Sequence, residues 1–116
     1  MVESYRDLKV WQRAIQMTLA IYRVTTGFPK EEMFGLTSQL RRAAVSVPSN
    51  IAEGYGRSTK GEYKQFLAMA RGSNLEVQTQ LFLATELSYG NPALLKETDD
   101  LSNEVSKMLN SLLTKL

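Results

Sequence analysis

The sequence contains no histidine and no cysteine among its 116 residues. The absence of cysteine excludes disulfide bonds and thiolate chemistry, and it fits a reducing compartment. The absence of histidine removes the commonest general base near neutral pH and the commonest metal ligand. We therefore expect a protein that is not an enzyme, with no catalytic residues, no bound metal and no cofactor.

Long apolar runs are also missing. No stretch approaches the roughly 20 residues that a helix needs to span a bilayer. Residues 1–7 lack the apolar core of a signal peptide. The sequence therefore predicts a cytoplasmic protein with no membrane partner.

Three features resemble parts of enzyme sites, but each has a simpler structural explanation. Glu53 and Glu76 could form a carboxylate pair, yet the carboxylate metal sites of helical bundles carry Glu-x-x-His repeats. Gly54 and Gly56 are not followed by Lys-Ser/Thr at the spacing of a phosphate loop, so they indicate a helix end and a tight turn. Ser46 has no basic partner that would activate it as a nucleophile.

Helical periodicity runs through most of the chain. Apolar residues recur at steps of three and four over four segments, at about 5–26, 36–54, 60–89 and 92–115, and no alternating strand pattern is present. The connections between the segments are short, so consecutive helices should be antiparallel. The predicted fold is all-α, an antiparallel up-down-up-down four-helix bundle that forms a single domain over residues 1–116.

An apolar stripe on each helix predicts which side faces the core. The third helix has the most regular stripe, a heptad seam with Asn74 at its centre, where a polar residue fixes register at some cost in stability. Phe28 and Phe34, in the first connection, are expected to cover the end of the bundle. The predicted stripes are Leu8, Trp11, Ile15, Thr18, Tyr22 and Thr25, widened by Ala14 and Ile21; Leu36, Leu40, Ala43, Val47 and Ile51; Tyr63, Leu67, Ala70, Asn74, Val77, Leu81, Ala84 and Ser88; and Leu94, Thr98, Leu101, Val105, Met108, Leu112 and Leu116.

The second helix contains a proline at position 48. Pro48 has no N–H to donate to the carbonyl of Ala44, which costs roughly 3 kcal/mol in an unadapted helix. Two interpretations are open. In the first, a kink that follows the curvature of the bundle accommodates the proline. In the second, the freed carbonyl and the polar residues around it form a contact site.

The third helix carries a second set of apolar residues away from its seam. A monomeric bundle needs one apolar stripe per helix, although scattered apolar surface residues also occur in monomers. We therefore predict a homo-oligomer, with a monomer as the alternative. The predicted interface residues are Met69, Leu75, Phe82, Leu83 and Leu87.

Positive charge is concentrated in the first part of the chain. Residues 1–72 hold 11 Lys/Arg and 6 Asp/Glu, a net charge of +5, whereas residues 73–116 hold 3 and 6, a net charge of −3. A basic cluster of this kind can contact phosphates, and Tyr55 and Tyr63 could stack on bases. Alternatively, these side chains form ion pairs, such as Arg42 with Glu53 or Glu76, or are simply solvated. The candidate nucleic-acid contacts are Arg41, Arg42, Arg57, Lys60, Lys64 and Arg71.

Five segments carry distinctive motifs: residues 7–11, residues 28–32 (Phe28-Pro29-Lys30-Glu31-Glu32), residues 35–44, residues 46–54 (Ser46-Val47-Pro48-Ser49-Asn50-Ile51-Ala52-Glu53-Gly54), and residues 66–73 with Glu76. Together they closely resemble the bacterial four-helix-bundle proteins of the 23S rRNA intervening-sequence family. The resemblance implies a four-helix bundle that assembles as a ring-like homopentamer. It also implies kinship to the accessory protein of diversity-generating retroelements, a basic pentamer that binds nucleic acid and a reverse transcriptase.

The combined expectation is a non-enzymatic, oligomeric four-helix-bundle protein that binds nucleic acid, RNA in particular, through a basic surface. The alternative is a protein–protein interaction scaffold that binds no nucleic acid, with a protein partner and with its arginines in ion pairs.

Overall fold

Four α-helices pack around one core in this computed structural model, which describes residues 2–116. They are α1 (Lys9–Thr25), α2 (Leu36–Tyr55), α3 (Lys60–Glu86) and α4 (Pro92–Lys115), with single turns of 3₁₀ helix at Tyr5–Asp7 and Lys30–Glu32. No strand occurs within the described residues. Each helix packs against the next, and α1 also packs against α4. The prediction of an all-α fold with four helices is confirmed.

Hydrogen bonds between the helices show that neighbours run in opposite directions. Thr18 lies beside Ala44, and Thr25, further along α1, lies beside Arg41, which is earlier on α2. Between α3 and α4, Asn74 pairs with Ser102, while contacts earlier on α3 fall later on α4. The molecule is 43 Å long, close to the roughly 40 Å expected for the 27 residues of α3.

Two helix boundaries differ from the prediction because of local capping. The first α-helix begins at Lys9, not near residue 5, because Ser4 and Asp7 form a capping box that closes a separate turn and Leu8 is extended. The third ends at Glu86, not near residue 89, because Ser88 adopts a left-handed conformation with φ of 60°. The N–H of Tyr89 then donates to the Ala84 carbonyl at 2.9 Å, which is typical of a Schellman motif.

The predicted core residues are correct for α2, correct for α3 except for the exposed Ser88, and partly correct for α1 and α4. Tyr22 is 42% exposed, and the α1 residues Val10, Met17 and Val24 are buried instead. On α4, Thr98 and Val105 are buried as predicted. The predicted Leu94, Leu101 and Met108 are only half-buried, and the residue after each of them is buried instead. One of these is Ser102, which pairs with Asn74. The fully buried α4 residues are Leu95, Thr98, Ser102, Val105 and Leu109.

Pro48 lies inside α2 without interrupting it, since the helix runs from Leu36 to Tyr55. The Ala44 carbonyl that lacks the proline N–H faces the hydroxyl of Thr18 on α1, at 3.1 Å. The same hydroxyl is 2.8 Å from the Ala14 carbonyl, which also has its helical N–H partner. The contact made by the freed carbonyl is therefore an internal one, between α1 and α2.

The helix end that Gly54 and Gly56 predict is found at Gly56, although Gly54 itself still lies within α2. The helix continues to Tyr55, and Gly56 is its C-cap with ordinary helical φ. A Cβ atom at Gly54 would lie 2.7 Å from the Cβ of Phe66 and 3.1 Å from Cδ1 of Tyr63. The residue is glycine because α2 and α3 approach each other too closely here for a side chain.

The two phenylalanines of the first connection have opposite environments. Phe28 is 7% exposed and packs against Tyr89, with ring centroids 5.7 Å apart. Phe34 is 95% exposed. The prediction that both cover the end of the bundle is correct for Phe28 and wrong for Phe34, because the turn before α2 directs Phe34 outward.

We predict that Thr18→Val destabilises the protein by about 1–3 kcal/mol, because it leaves a buried carbonyl without a donor. In a Pro48→Ala background, the restored N–H of residue 48 can donate to the carbonyl of Ala44. Thr18→Val should therefore reduce the free energy of unfolding markedly less in that background. Urea unfolding of the four variants in a double-mutant cycle measures this coupling. Thr18→Ser, which keeps the hydroxyl, is the control. Equal penalties in both backgrounds would contradict this role for Thr18.

Candidate functional site

The six candidate nucleic-acid residues do not form one patch on a single chain. Arg41 and Arg42 are in the first half of α2, whereas Arg57 follows the end of that helix, roughly 22 Å further along its axis. Lys60 and Lys64 start α3 beside Arg57. Arg71 is three turns further on and faces α4, where it donates to Oδ1 of Asn110 at 3.3 Å.

The side chain of Arg41 has its partners within the same chain. Its Nε donates to Oγ1 of Thr25 at 2.9 Å, and its guanidinium lies 4.7 Å from the ring centroid of Tyr22. Thr25 is buried, and Arg41 is half-buried. The exposed ring of Tyr22 is thus a platform for the arginine, which explains why this aromatic residue lies outside the core.

Arg57 also has internal partners. It forms an ion pair with Oε2 of Glu53 at 2.9 Å and lies over the ring of Phe66 at 4.7 Å. Both charged side chains remain about half exposed, so the ion pair contributes at most about 1 kcal/mol. Because Glu53 pairs with Arg57, the alternative pairing with Arg42 is not formed within the chain.

Three of the candidate cations have no partner among residues 2–116. Arg42, Lys60 and Lys64 are exposed, and none of them makes a side-chain hydrogen bond or an ion pair in the described part of the chain. They are available for an external ligand. Lys60 and Lys64 lie at the end where α2 meets α3, and Arg42 lies towards the opposite end.

The aromatic residues expected to stack on bases contact each other. The rings of Tyr55 and Tyr63 meet edge to face, with centroids 6.3 Å apart. Burial, and secondarily Tyr55, raises the pKa of Tyr63 above its usual value. Both rings are half-buried, so a base would have to share their remaining surface.

Sequence reasoning missed three lysines at the same end as Lys60 and Lys64. Lys9, Lys107 and Lys115 line a groove of about 350 Å³ between the start of α1 and the end of α4. No acidic side chain lines this groove. We call the end of the bundle that carries Lys9, Lys60, Lys64, Lys107 and Lys115 the basic end. Only the antiparallel fold brings residues so distant in sequence together.

The five predicted interface residues are all exposed on the chain, by 45–63%. Large apolar residues outside the prediction are also exposed. Besides Phe34, they include Leu19, Tyr22, Met33 and Val45. Ten exposed large apolar side chains are thus distributed over α1, the first connection, α2, and α3 with its C-cap.

The largely apolar groove between α3 and α4 lies near the α3–α4 turn. Its volume is about 520 Å³, and Leu81, Phe82, Tyr89 and Leu95 are among its lining residues. Tyr89 also reaches the first connection, where its hydroxyl donates to Oε2 of Glu32 at 3.1 Å. That hydrogen bond, followed by burial, raises the pKa of Tyr89.

A polar groove of about 460 Å³ separates the outer sides of α2 and α3. In it the hydroxyls of Ser46 and Ser73 lie 2.9 Å apart, and Nδ2 of Asn50 donates to Oγ of Ser46. Ser46 therefore links two helices and has no basic partner, as its sequence context indicated. Oε1 of Gln80 is buried here without a hydrogen-bond partner among residues 2–116.

Within residues 2–116, no group of three or more acidic side chains is placed to hold a metal ion. None of the helices in that range has the length and apolar character needed to cross a bilayer.

Comparisons with known proteins identify relatives of this fold. The sequence model of the family described as "23S rRNA-intervening sequence protein" matches residues 6–111. A crystal structure of a protein with unknown function from the S23 ribosomal protein family of Bacteroides thetaiotaomicron VPI-5482 superposes with a TM-score of 0.82 at 20% sequence identity. That match covers 90% of this chain and 95% of the other. No curated protein matches the chain.

We expect stability to fall above about pH 10, the usual pKa of tyrosine, in a way that depends on Tyr89. Its folded-state pKa is raised, so its contribution is present below the unfolded pKa and is lost as pH rises through the folded value. Urea midpoints between about pH 9 and 11 should fall more steeply for the wild type than for Tyr89→Phe. Parallel pH profiles would contradict a stabilising Tyr89–Glu32 hydrogen bond.

Proposed function

This chain belongs to the 23S rRNA-intervening sequence protein family, and we propose that it acts in the cytoplasm as a non-enzymatic, homo-oligomeric scaffold. The observation that most strongly supports this proposal is that α3 is apolar on more than one side. Its seam from Leu67 to Ala84 is buried, yet Met69, Phe82 and Leu83 on its other sides are 45–63% exposed. A second copy of the chain is the partner expected to cover them.

A ring of five copies, as the family resemblance implies, would have a consequence for charge. In a ring whose bundle axes lie parallel, every basic end is on the same face of the assembly. Several weak phosphate-binding surfaces then act together, and linked binding can exceed the affinity of one surface by orders of magnitude.

Nucleic-acid binding is the second part of the proposal, and the unpaired lysines of the basic end support it. Lys60 and Lys64 have no partner in the described part of the chain, and Lys9, Lys107 and Lys115 line a groove without acidic residues. Phosphate contacts of this kind carry no sequence information. The proposed ligand is therefore a nucleic-acid backbone, RNA first, bound without strong sequence preference.

Arg41 and Arg42 fit this binding surface less well than the lysines do, because they lie towards the opposite end of the bundle. Arg57 and Arg71 are nearer to it, although both already have internal partners. If nucleic acid is not bound, the protein-interaction scaffold remains as the function, with another protein as its ligand.

The oligomer is tested by light scattering of the purified chain at micromolar concentration. We expect a molar mass that is a multiple of 13.1 kDa. It should persist in high salt, because apolar contacts are screened little by ions whereas surface ion pairs are weakened. A monodisperse monomer would contradict the oligomeric scaffold.

RNA binding is tested by fluorescence anisotropy over a series of salt concentrations. Lys60→Ala/Lys64→Ala should weaken binding and make the slope of log K against log salt shallower by about one for each lost phosphate contact. The matched control is Lys30→Ala/Lys96→Ala, which removes the same charge from the opposite end. No binding by the wild type at low salt, or equal effects of the two double variants, would contradict binding through the basic end.

A further inference from the structure

Phe34 projects into solvent from a turn that is held in place. It is 95% exposed, and it lies between the 3₁₀ turn Lys30–Glu32 and α2. The carboxylate of Glu32 accepts from the N–H of Leu36 at 3.0 Å through Oε1 and from the hydroxyl of Tyr89 at 3.1 Å through Oε2. A Cβ atom at Gly35 would lie 2.6 Å from that Oε1, so the close approach depends on glycine.

An exposed aromatic ring on a turn that is held in place has the properties of a binding anchor. It offers a large apolar area, and its side chain has only two rotatable bonds to order when it is bound. Met33 and Val45 beside it are also exposed, by 57% and 42%. We call Phe34, Met33 and Val45 the Phe34 ridge.

The α3–α4 groove described above is a receptor of suitable size and chemistry. Its lining includes Leu81, Phe82, Tyr89 and Leu95, which suits an aromatic side chain. Phe82 is 63% exposed, and it lies in this lining, so a ring bound in the groove would cover it.

Charge also favours the pairing of these two surfaces. Arg42 lines the same cavity as Phe34 and has no ion-pair partner in the described part of the chain. Asp99 and Lys96 both line the α3–α4 groove, and Lys96 pairs with Asp100. Together with Glu97, residues 96–100 hold one positive and three negative side chains, a net charge of −2. A basic surface on α2 thus has an acidic counterpart on α4.

One chain cannot bring its own ridge to its own groove. Phe34 lines cavities with residues of α1, α2 and the α2 side of α3, whereas the groove opens between α3 and α4. Both surfaces nevertheless lie at the same end of the bundle, because Tyr89 of the groove is bonded to Glu32. Two copies that join ridge to groove would therefore lie side by side, with their axes roughly parallel.

We propose that the Phe34 ridge of one copy inserts into the α3–α4 groove of the next copy, so that the chain assembles head to tail. The inference rests on the proposed homo-oligomer and identifies its contact surfaces. Because the two surfaces differ, the contact is heterologous, and its repetition closes into a ring when the rotation between copies is a fraction of a full turn.

The test uses two variants that each destroy one surface, Phe34→Glu and Phe82→Glu. Both residues are largely exposed, so each variant should fold, which circular dichroism and urea unfolding check. Val2→Glu, at an exposed apolar position before α1 and outside both surfaces, is the matched control. We expect each of the two variants to sediment as a monomer of 13.1 kDa and the control to keep the wild-type mass.

Mixing the two variants distinguishes a head-to-tail contact from a symmetric one. Phe34→Glu retains an intact groove and Phe82→Glu retains an intact ridge, so an equimolar mixture should form a heterodimer of twice 13.1 kDa and nothing larger. A mixture that stays monomeric at high concentration overturns the proposal. If the wild type is oligomeric and Phe34→Glu leaves its mass unchanged, the ridge is not the contact, while the homo-oligomeric scaffold stands.

Discussion

The register of the four helices depends on buried polar groups that only one alignment satisfies. Asn74 donates to the Ser102 carbonyl and accepts from the Ser102 hydroxyl, both at 2.9 Å, while Thr18 faces the carbonyl freed by Pro48. Sliding either pair of helices by one turn would leave these groups buried and unpaired, at a cost of about 1–3 kcal/mol each. The grooves, the basic end and the position of Phe34 all follow from that alignment.

The Glu32 carboxylate has a similar role at the surface. It caps the start of α2 and binds the α3–α4 turn through Tyr89. One side chain thereby fixes the relation between the first connection and the groove. The same support holds Phe34, which is 95% exposed, in the position that the proposed head-to-tail contact requires.

The geometry of the bundle separates the surfaces proposed for self-association from the positively charged basic end. The proposed contacts lie around the sides of the molecule and near one end, which leaves the opposite, basic end uncovered. Assembly would therefore concentrate lysines on one face without burying them. The proposed scaffold and the proposed nucleic-acid binding are therefore compatible, since they would use different surfaces.

Much of the fold was determined by the sequence itself. Periodicity identified four helices, which have 17 to 27 residues. The seams of α2 and α3 are correct apart from Ser88, because the sides of those helices that face the core are apolar in a strict pattern. Asn91 and Pro92 also marked the start of α4 correctly, since capping is a local interaction. The motifs of residues 46–54 were specific enough to indicate the family.

Tertiary structure alone decided the rest. The buried sides of α1 and α4 depend on which neighbour each helix meets, and both helices carry apolar residues on more than one side. Phe34 is as apolar as Phe28, so composition could not tell the exposed ring from the buried one. The basic end joins Lys9 to Lys115 only because antiparallel packing places the first turn of α1 beside the last turn of α4.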